Sequence, residues 1–591
     1  MSSSPDLPLH RSGQGLGLAF VILGLVALVL RAWNFFLLGL DHYDEGVYSL
    51  SGFWSLPSST GVALYPFQKL FSPPGYFGLV GLAYWISGGA SDSAAIAINI
   101  LFGAATVLLA GWVGTRWFGR SCGIAAAALV ALSDFDIAFA RMALTDTMFA
   151  FLFLLSLALI AIALEKDRVV FALLAGLTAG VAWNVKYDGY FPVAIALAVI
   201  IFQAATKREE RMKLKRALLL WGVMAGIAFA LFLPWVIYTQ VRLGGYFGVE
   251  SFHQQFYTFA WAANFKQQLE NQIYFEGFLS RISPLVAFLA ALAVEDARVW
   301  SHWRFVCLAA AGLAACGLVL GGAGTCVVLA LIGLAPSWRR GEVFGKLLVS
   351  GIAVLFLLIP CYTPFARLAL PWTLLVQIAA GLGMQEIWNA AESRAFFASP
   401  SRSFAGALCL MSVLAVPMAS GGFTFAKVDP WDSPPKDSMR RTVAAMSKLV
   451  PPGSIIFVDE EPDAAFYFRR AGYTTFCTMR LFNSSRVPDA FQESSTHGGA
   501  PIYVVAGPYA QLAPDWNPIP AEIRVRLSLV ARFLTQPGDV RLLDDFPPQE
   551  ALKYRAHPDD RYDLLLIRVG PPVAKPTADA PAHPAASNQA Q

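Results

Sequence analysis

The chain has 591 residues, of which 56% are hydrophobic and only 14% are charged, and its formal net charge is +4. A soluble globular chain carries roughly 25% charged residues, so this composition excludes a cytosolic enzyme, a disordered protein and a small disulfide-rich secreted domain. Basic residues fall in short clusters between apolar runs, so nucleic acid is not an expected partner. The seven cysteines form no CxxC pair, which argues against a zinc site or a disulfide framework.

Apolar runs recur along the first 420 residues, and a spanning helix needs about 20 apolar residues. We therefore expect an α-helical polytopic membrane protein. The sequence predicts about 13 transmembrane helices, at 16–38, 93–115, 122–140, 147–164, 169–185, 189–203, 217–239, 282–295, 305–320, 323–336, 347–361, 367–389 and 403–420. The first run continues to Leu40 without a small-residue cleavage pattern, so we interpret it as an anchor rather than a signal peptide.

Lys and Arg in short loops mark the cytoplasmic side of a membrane protein. Alternate loops of this chain carry most of the positive charge: Arg116 and Arg120, Lys166 and Arg168, the 207–216 cluster, Arg298 and Arg304, Arg339 to Lys346, and Arg394 with Arg402. The opposite loops hold only isolated basic residues. This asymmetry predicts a cytoplasmic N-terminus and an extracytoplasmic chain end. A multi-pass position in a bacterial inner membrane is the expected localisation.

The domain organisation follows from these spans. Residues 1–425 form the membrane domain, with long outer loops at 39–92 and 240–281, and residues 426–570 have the composition of a small soluble α/β domain. The Pro/Ala-rich tail 571–591 is expected to be disordered. Within the soluble domain we expect strands at 454–458, 501–505 and 563–567 and helices at 463–470 and 521–534.

Ionisable residues near a bilayer are costly and are functional candidates by default. Asp44 and Glu45 follow the first span, and Arg141 and Asp146 lie between the third and fourth. Lys186, Tyr362 and Arg367 end or begin other spans on the same predicted face. Carboxylates accompanied by isolated cations suit a site that binds a lipid phosphate and activates a hydroxyl. The alternatives are helix N-caps for the acids and snorkelling for the cations.

Metal ligation is a further alternative for the outer loops. His42 and His253 lie in the predicted outer loops and could bind a divalent metal together with Glu45 or Glu250, although no paired-ligand spacing such as HExxH occurs. The metal is unknown, and no cofactor is required.

The motif Asp44-Glu-Gly-Val-Tyr48 resembles the Asp-Glu signature of membrane glycosyltransferases with the GT-C fold. Ser72-Pro-Pro-Gly-Tyr76 is similar to their Pro-Pro element, though it has Ser72 where a histidine is often found. Residues 141–146 are similar to their second acidic motif, and 362–371 to their late Arg-x-x-x-Pro segment. The pattern is closest to dolichyl-phosphate-mannose protein mannosyltransferases and aminoarabinose lipid A transferases, over about residues 14–390.

This resemblance implies an inverting glycosyltransferase for hexosyl or pentosyl sugars. It would move the sugar from a polyprenyl-phosphate donor in the membrane lipid to a hydroxyl of an acceptor protein, lipid A or other glycolipid, on the extracytoplasmic face. Asp44 is our choice of base for the acceptor. Arg141, Lys186 and Arg367 would neutralise the departing phosphate. Asp146 would orient Asp44, or bind acceptor or metal, while Glu45 and Tyr362 would help to bind substrate.

Two other functions remain open. A transporter or flippase for a lipid-linked substrate would show internal repeats and charged or broken helices near the bilayer midplane, and we find no such repeat. A non-catalytic assembly subunit would use its soluble domain to bind polysaccharide and would tolerate loss of Asp44.

The predicted topology is testable with a reporter that is active only outside the cytoplasm. Fused at Gly421 the reporter should be active, and fused at Lys207 it should be inactive, because the charge asymmetry assigns these positions to opposite sides. The reverse pattern would move Asp44 to the cytoplasmic face and contradict the predicted site.

Overall fold

The structure is a computed structural model that describes most of the membrane domain and part of the C-terminal region. The described residues are 12–53, 72–206, 208–242, 245, 253–254, 256–293, 303–339, 343–392, 437–459, 461–478, 499–507, 526–535, 544 and 562–570. The predicted span 403–420, Glu250 and the tail 571–591 lie outside this part of the chain.

Most of the described chain is α-helical. The helices are α1 (Ser12–Ala32), α2 (Tyr43–Gly52), α3 (Pro74–Ile86), α4 (Asp92–Trp117), α5 (Arg120–Ala131), α6 (Asp134–Ala140), α7 (Thr145–Lys166), α8 (Val169–Val185), α9 (Phe191–Thr206), α10 (Arg208–Arg242), α11 (Trp261–Tyr274), α12 (Phe278–Ala293), α13 (Trp303–Arg339), α14 (Val343–Leu358), α15 (Leu370–Glu392), α16 (Ser438–Met446) and α17 (Pro462–Arg470). Short 3₁₀ turns at Tyr187–Tyr190, Ile359–Cys361 and Ala366–Ala369 connect several of them.

The helices make the chain a multi-pass membrane protein, as predicted. Among the described residues, eight helices are long and apolar enough to span a bilayer, or up to ten if each of two bent helix pairs counts as one span. The expected count of 13 is not reproduced. The predicted span 122–140 is the bent pair α5 and α6, and 282–295 is one arm of the pair α11 and α12. Helix α8 has 17 residues, about 26 Å, which is shorter than a typical bilayer core.

The predicted spans 305–320 and 323–336 correspond to one long stretch, α13, with a break at Gly321. This glycine has φ 72° and ψ 175°, a conformation that only glycine adopts readily. The Glu276 carboxylate accepts the following amides of Gly322, at 2.9 Å, and Ala323, at 2.5 Å. The break is therefore held by a side chain that satisfies the amides freed at the helix interruption.

Small residues allow the helices at the centre of the membrane domain to approach closely. Helix α5 is buried over nearly its whole length and carries the run Ala125–Ala128. A Cβ atom added to Gly114 of α4 would lie 2.8 Å from the Cα atom of Gly123 on α5. Small residues are used in this way at helix interfaces in membranes, where van der Waals packing drives association.

The C-terminal region contains a five-stranded sheet of β1 (Ile455–Asp459), β2 (Thr474–Thr478), β3 (Ile502–Ala506), β4 (Leu527–Thr535) and β5 (Tyr562–Val569). The strand order is β2-β1-β3-β5-β4. Strand β1 pairs in parallel with β2 and β3, and β5 pairs antiparallel with β3 and β4. Helix α17 connects the parallel strands β1 and β2. The three predicted strands correspond to β1, β3 and β5, and the predicted helix 463–470 corresponds to α17.

The predicted helix at 521–534 is wrong over its described part, where the chain forms β4. Its residues alternate between apolar and polar from Arg526 to Leu529, which suits a strand, and they pair with β5. The register shifts between Leu529 and Ala531. This bulge interrupts the alternation and makes the segment look helical in a sequence window.

The C-terminal region packs directly on helix α2. A Cβ atom on Gly46 would lie 2.1 Å from the backbone nitrogen of Asp463, which is in the first turn of α17. Asp92, at the start of α4, accepts hydrogen bonds from Arg440 at 3.2 Å, Arg470 at 3.1 Å and the Tyr467 hydroxyl at 3.0 Å. A backbone contact and a buried carboxylate therefore fix the domain against the membrane helices.

We expect Gly46→Ala to destabilise the protein, because the added methyl group overlaps backbone atoms of α17 that cannot rotate away. The cost should be about 1–3 kcal/mol, seen as a lower Tm in detergent micelles. Gly78→Ala is the matched control, since a Cβ atom at this helical glycine of α3 meets nothing within 4 Å. An unchanged Tm for Gly46→Ala would contradict the close contact between α2 and α17.

Candidate active site

Helix α2 carries Asp44 in its first turn, and the residues around Asp44 fix where the helix begins. His42 is the N-cap, and its Nδ1 atom accepts a hydrogen bond from the Asp44 amide at 3.1 Å. The Glu45 carboxylate accepts the amides of Asp41 and His42, each at 3.0 Å. This capping box satisfies the amides at the helix start and orients the first turn.

Glu45 also joins α2 to the loop between α6 and α7. Its second oxygen accepts the Ala143 amide at 2.7 Å. Burial raises the pKa of Glu45, and the three backbone hydrogen bonds oppose that shift. The structure thus gives the side chain predicted to bind substrate a full set of backbone partners, and its contacts position Asp44 and the loop that precedes Asp146.

Asp146 and Lys186 form an ion pair next to this loop. Asp146 lies in the first turn of α7, and Lys186 directly follows α8. The Lys186 ammonium contacts an oxygen of Asp146 and lies 5.7 Å from the centre of the Phe149 ring. Two helix termini that are 40 residues apart in sequence therefore bring opposite charges together.

Arg367 links the two acidic motifs. It lies in the 3₁₀ turn Ala366–Ala369 that precedes α15. Its Nη2 atom donates to Asp44 Oδ2 at 2.6 Å, and its Nε atom is 3.8 Å from Asp146 Oδ2. The side chains alternate in charge in the order Lys186, Asp146, Arg367 and Asp44, and we call these four residues the charge network.

The charge network is almost closed to solvent. The exposed fraction of the side chain is 10% for Arg367, 4% for Asp44, 3% for Asp146 and 18% for Lys186. Removing an ion from water costs several kcal/mol even in a relaxed protein, and only a well-placed partner offsets this cost. Each charge therefore depends on its neighbour, and the Lys186 end is the most accessible.

Asp544 and His42 join the charge network, and sequence reasoning missed these roles. Asp544 accepts hydrogen bonds from the Arg367 amide at 3.1 Å and from the Arg367 Nη1 atom, and it lies 3.1 Å from His42 Nε2. Burial opposes ionisation of Asp544, but the Arg367 charge and the contact with His42 hold its pKa below the usual range. No motif surrounds Asp544, so no sequence signal could have found it.

Tyr362 lies beside the charge network rather than in it. Its hydroxyl is 3.2 Å from His253 Nδ1. Burial, followed by the nearby Lys186 charge, lowers the pKa of His253 to about 4, so this imidazole is neutral at pH 7. Within the described part of the chain, no three His, Cys, Asp or Glu residues form a group suited to a metal ion.

Arg141 contacts the end of the first span. Its Nη1 atom donates to the carbonyl oxygens of Leu30 at 3.3 Å, Arg31 at 3.2 Å and Trp33 at 2.6 Å. These are the last carbonyls of α1 and its continuation, which have no partner within the helix. Through Nη1, Arg141 therefore caps the C-terminus of the first span, and its predicted role as a phosphate ligand stays a prediction.

The comparisons with known proteins agree with the fold. The model of the dolichyl-phosphate-mannose-protein mannosyltransferase family matches residues 67–245, a region that contains Asp146 and Lys186 but neither Asp44 nor Arg367. No curated protein matches the chain.

Two solved structures are similar along most of the chain. ArnT from Cupriavidus metallidurans, bound to undecaprenyl phosphate, has a TM-score of 0.53 at 14% identity and covers 94% of this chain and 98% of its own. The Archaeoglobus fulgidus oligosaccharyltransferase AglB, in complex with an inhibitory peptide and a dolichol-phosphate, has a TM-score of 0.51 at 14% identity and covers 85% and 70%. The chain has the GT-C fold, as its motifs indicated.

Proposed function

We propose that the chain is a glycosyltransferase that moves a sugar from a polyprenyl-phosphate donor to a hydroxyl acceptor. The observation that carries this proposal is the charge network, in which Asp44 shares one guanidinium with Asp146 at the ends of three helices. The likeness to ArnT bound to undecaprenyl phosphate, to AglB with a dolichol-phosphate and to the mannosyltransferase family supports the donor class. The site faces the extracytoplasmic side of a bacterial inner membrane, and the acceptor is a protein, lipid A or another glycolipid.

Arg367 and Lys186 bind the donor phosphate in this proposal. Both are cations at the ends of membrane helices, where a lipid-linked phosphate meets the protein. Charge-assisted hydrogen bonds from guanidinium or ammonium groups to phosphate are roughly twice as strong as neutral ones. Asp146 contacts Lys186 and lies 3.8 Å from Arg367, so it acts as the positioning residue that bridges the two cations.

Asp44 is the base. The Arg367 guanidinium at 2.6 Å favours the ionised carboxylate, which is the form that accepts a proton. The acceptor oxygen attacks the anomeric carbon as the bond to the phosphate oxygen breaks, and its proton passes to Asp44. Attack from the face opposite the phosphate inverts the anomeric carbon. One positioned carboxylate typically contributes 10²–10⁴-fold to such a step, and Arg367 stabilises the charge that develops on the phosphate.

We expect Asp44→Asn to fold and bind donor but to transfer sugar about 10²-fold more slowly or worse, because an amide accepts no proton. Asn also caps helices, so a purely structural Asp44 predicts near-normal turnover. The measurement is the transfer rate of purified variants with a polyprenyl-phosphate sugar, with Asp41→Asn as the neighbouring-carboxylate control. Asp44→Glu should recover little, because its carboxylate is displaced by more than about 0.5 Å.

The two arginines predicted to bind phosphate should now behave differently. Arg367→Gln should weaken donor binding about ten- to a hundredfold, the loss expected for one charge-assisted hydrogen bond. Arg141→Gln should lower the Tm but leave the Kd for donor unchanged, since its contacts are to helix carbonyls. Equal Kd values for Arg367→Gln and wild type would remove Arg367 from the phosphate site.

A further inference from the structure

The carboxylate of Asp544 contacts Arg367, the cation proposed above to bind the donor phosphate. Asp544 is separated from Arg367 by 177 residues and from His42 by 502, and it is supplied by the C-terminal region. Its side chain is fully buried against both. It is therefore an anion that the chain itself places on the central cation of the charge network.

The proton position on His42 follows from its other contact. Nδ1 accepts the Asp44 amide, so in the neutral ring Nε2 carries the hydrogen, and Asp544 Oδ2, at 3.1 Å, is the acceptor for it. Arg367 Nη1 lies 3.0 Å from the same Nε2, so both donors converge on Asp544. Asp544 then accepts from an imidazole N–H, a guanidinium N–H and the backbone N–H of Arg367. This is a set of donors that would equally bind the oxygens of a phosphate.

Carboxylates already surround the Arg367 guanidinium. Nη2 contacts Asp44, Nε faces Asp146, and Nη1 contacts Asp544. A phosphate that binds this guanidinium at Nη1 therefore competes with Asp544 for the same atom. The capping box fixes the backbone of Asp44 within α2, and Asp146 is paired with Lys186. Asp544 comes instead from the C-terminal region, and it is the carboxylate on Nη1 that a phosphate would replace.

Charge also favours this exchange. A polyprenyl-phosphate sugar is a phosphodiester with one negative charge, the same charge as the carboxylate. Replacing Asp544 by the donor phosphate therefore leaves the net charge of the buried site unchanged. Leaving Arg367 without either anion would strand part of a buried cation, which is strongly destabilising.

We propose that Asp544 occupies the phosphate position of the charge network in the donor-free protein and is displaced when the donor binds. This inference rests on the proposed function of Arg367 as a phosphate ligand. The C-terminal domain then keeps the site electrically paired between turnovers, and donor phosphate competes with an internal carboxylate for the same three N–H groups.

Docking of the soluble domain does not require the contact of Asp544. The carboxylate of Asp92 accepts hydrogen bonds from Arg440, Arg470 and Tyr467, and Gly46 packs against α17. Loss of the Asp544 charge therefore leaves the domain attached to α2 and α4. A purely structural role for Asp544 and a competing role predict opposite changes in phosphate binding.

The test measures the Kd of the full-length chain for an undecaprenyl phosphodiester, which carries the single negative charge of the donor, in detergent micelles. Asp544→Asn should bind about tenfold more tightly than wild type, since one charge-assisted contact no longer competes. Asp437→Asn is the matched control, because it removes a carboxylate that pairs with Arg440 and Arg441 away from Arg367, and its Kd should equal that of wild type. Asp544→Ser, uncharged but still able to accept a hydrogen bond, repeats the test if the Asn variant does not fold.

The double variant Asp544→Asn with Arg367→Gln separates the two proposals. It should bind no better than Arg367→Gln alone, because the gain acts through the guanidinium. If Asp544→Asn binds equally or more weakly than wild type while Arg367→Gln still loses binding, the displacement is overturned and the donor site stands. If binding is independent of Arg367 in every variant, the donor site fails and the displacement fails with it.

Discussion

The site depends on one buried cation. The Arg367 guanidinium contacts carboxylates from α2, from α7 and from the C-terminal region, so three distant parts of the chain meet on a single charge. A buried ion without partners costs several kcal/mol, and the same holds for each of the carboxylates. The fold that pairs these charges also places Lys186 against Asp146 and His42 against Asp544, so a second cation and a histidine lie on the carboxylates that surround Arg367.

Much of this arrangement could be predicted from the sequence because it follows from topology. The alternation of basic loops assigned Asp44, Asp146, Lys186 and Arg367 to one membrane face, and the structure brings these side chains into contact. Charged residues at helix ends on the same membrane face lie at a similar depth and can pair with one another. The predicted membrane face of a residue therefore helps to predict which charged residues it contacts. The functional roles of these residues remain proposals that rest on this geometry.

The remaining features depended on contacts that a local pattern does not contain. Arg141 also caps the end of α1, where its Nη1 atom reaches the carbonyls of Leu30, Arg31 and Trp33, and no local pattern predicts these contacts. Asp544 has no motif around it, and only its contacts with Arg367 and His42 make it part of the site. The strand β4 was predicted as a helix because its bulge breaks the two-residue period. The two spans predicted at 305–320 and 323–336 form one stretch with a break at Gly321, which Glu276 stabilises. Each of these features is determined by contacts between residues that are far apart in the sequence.

In the proposed reaction, one negative charge is lost on one side of the Arg367 guanidinium and another appears on its other side. Before transfer, Asp44 is ionised on Nη2 and the donor phosphodiester carries one negative charge at Nη1, in the place of Asp544. After transfer, Asp44 holds the acceptor's proton and the released phosphate monoester can carry a second negative charge. The charge lost at one side of Arg367 appears at the other, so the net charge of the buried site stays constant. A preorganised cation that contacts both groups needs little reorganisation during the step, which is the condition under which buried electrostatics accelerates a reaction.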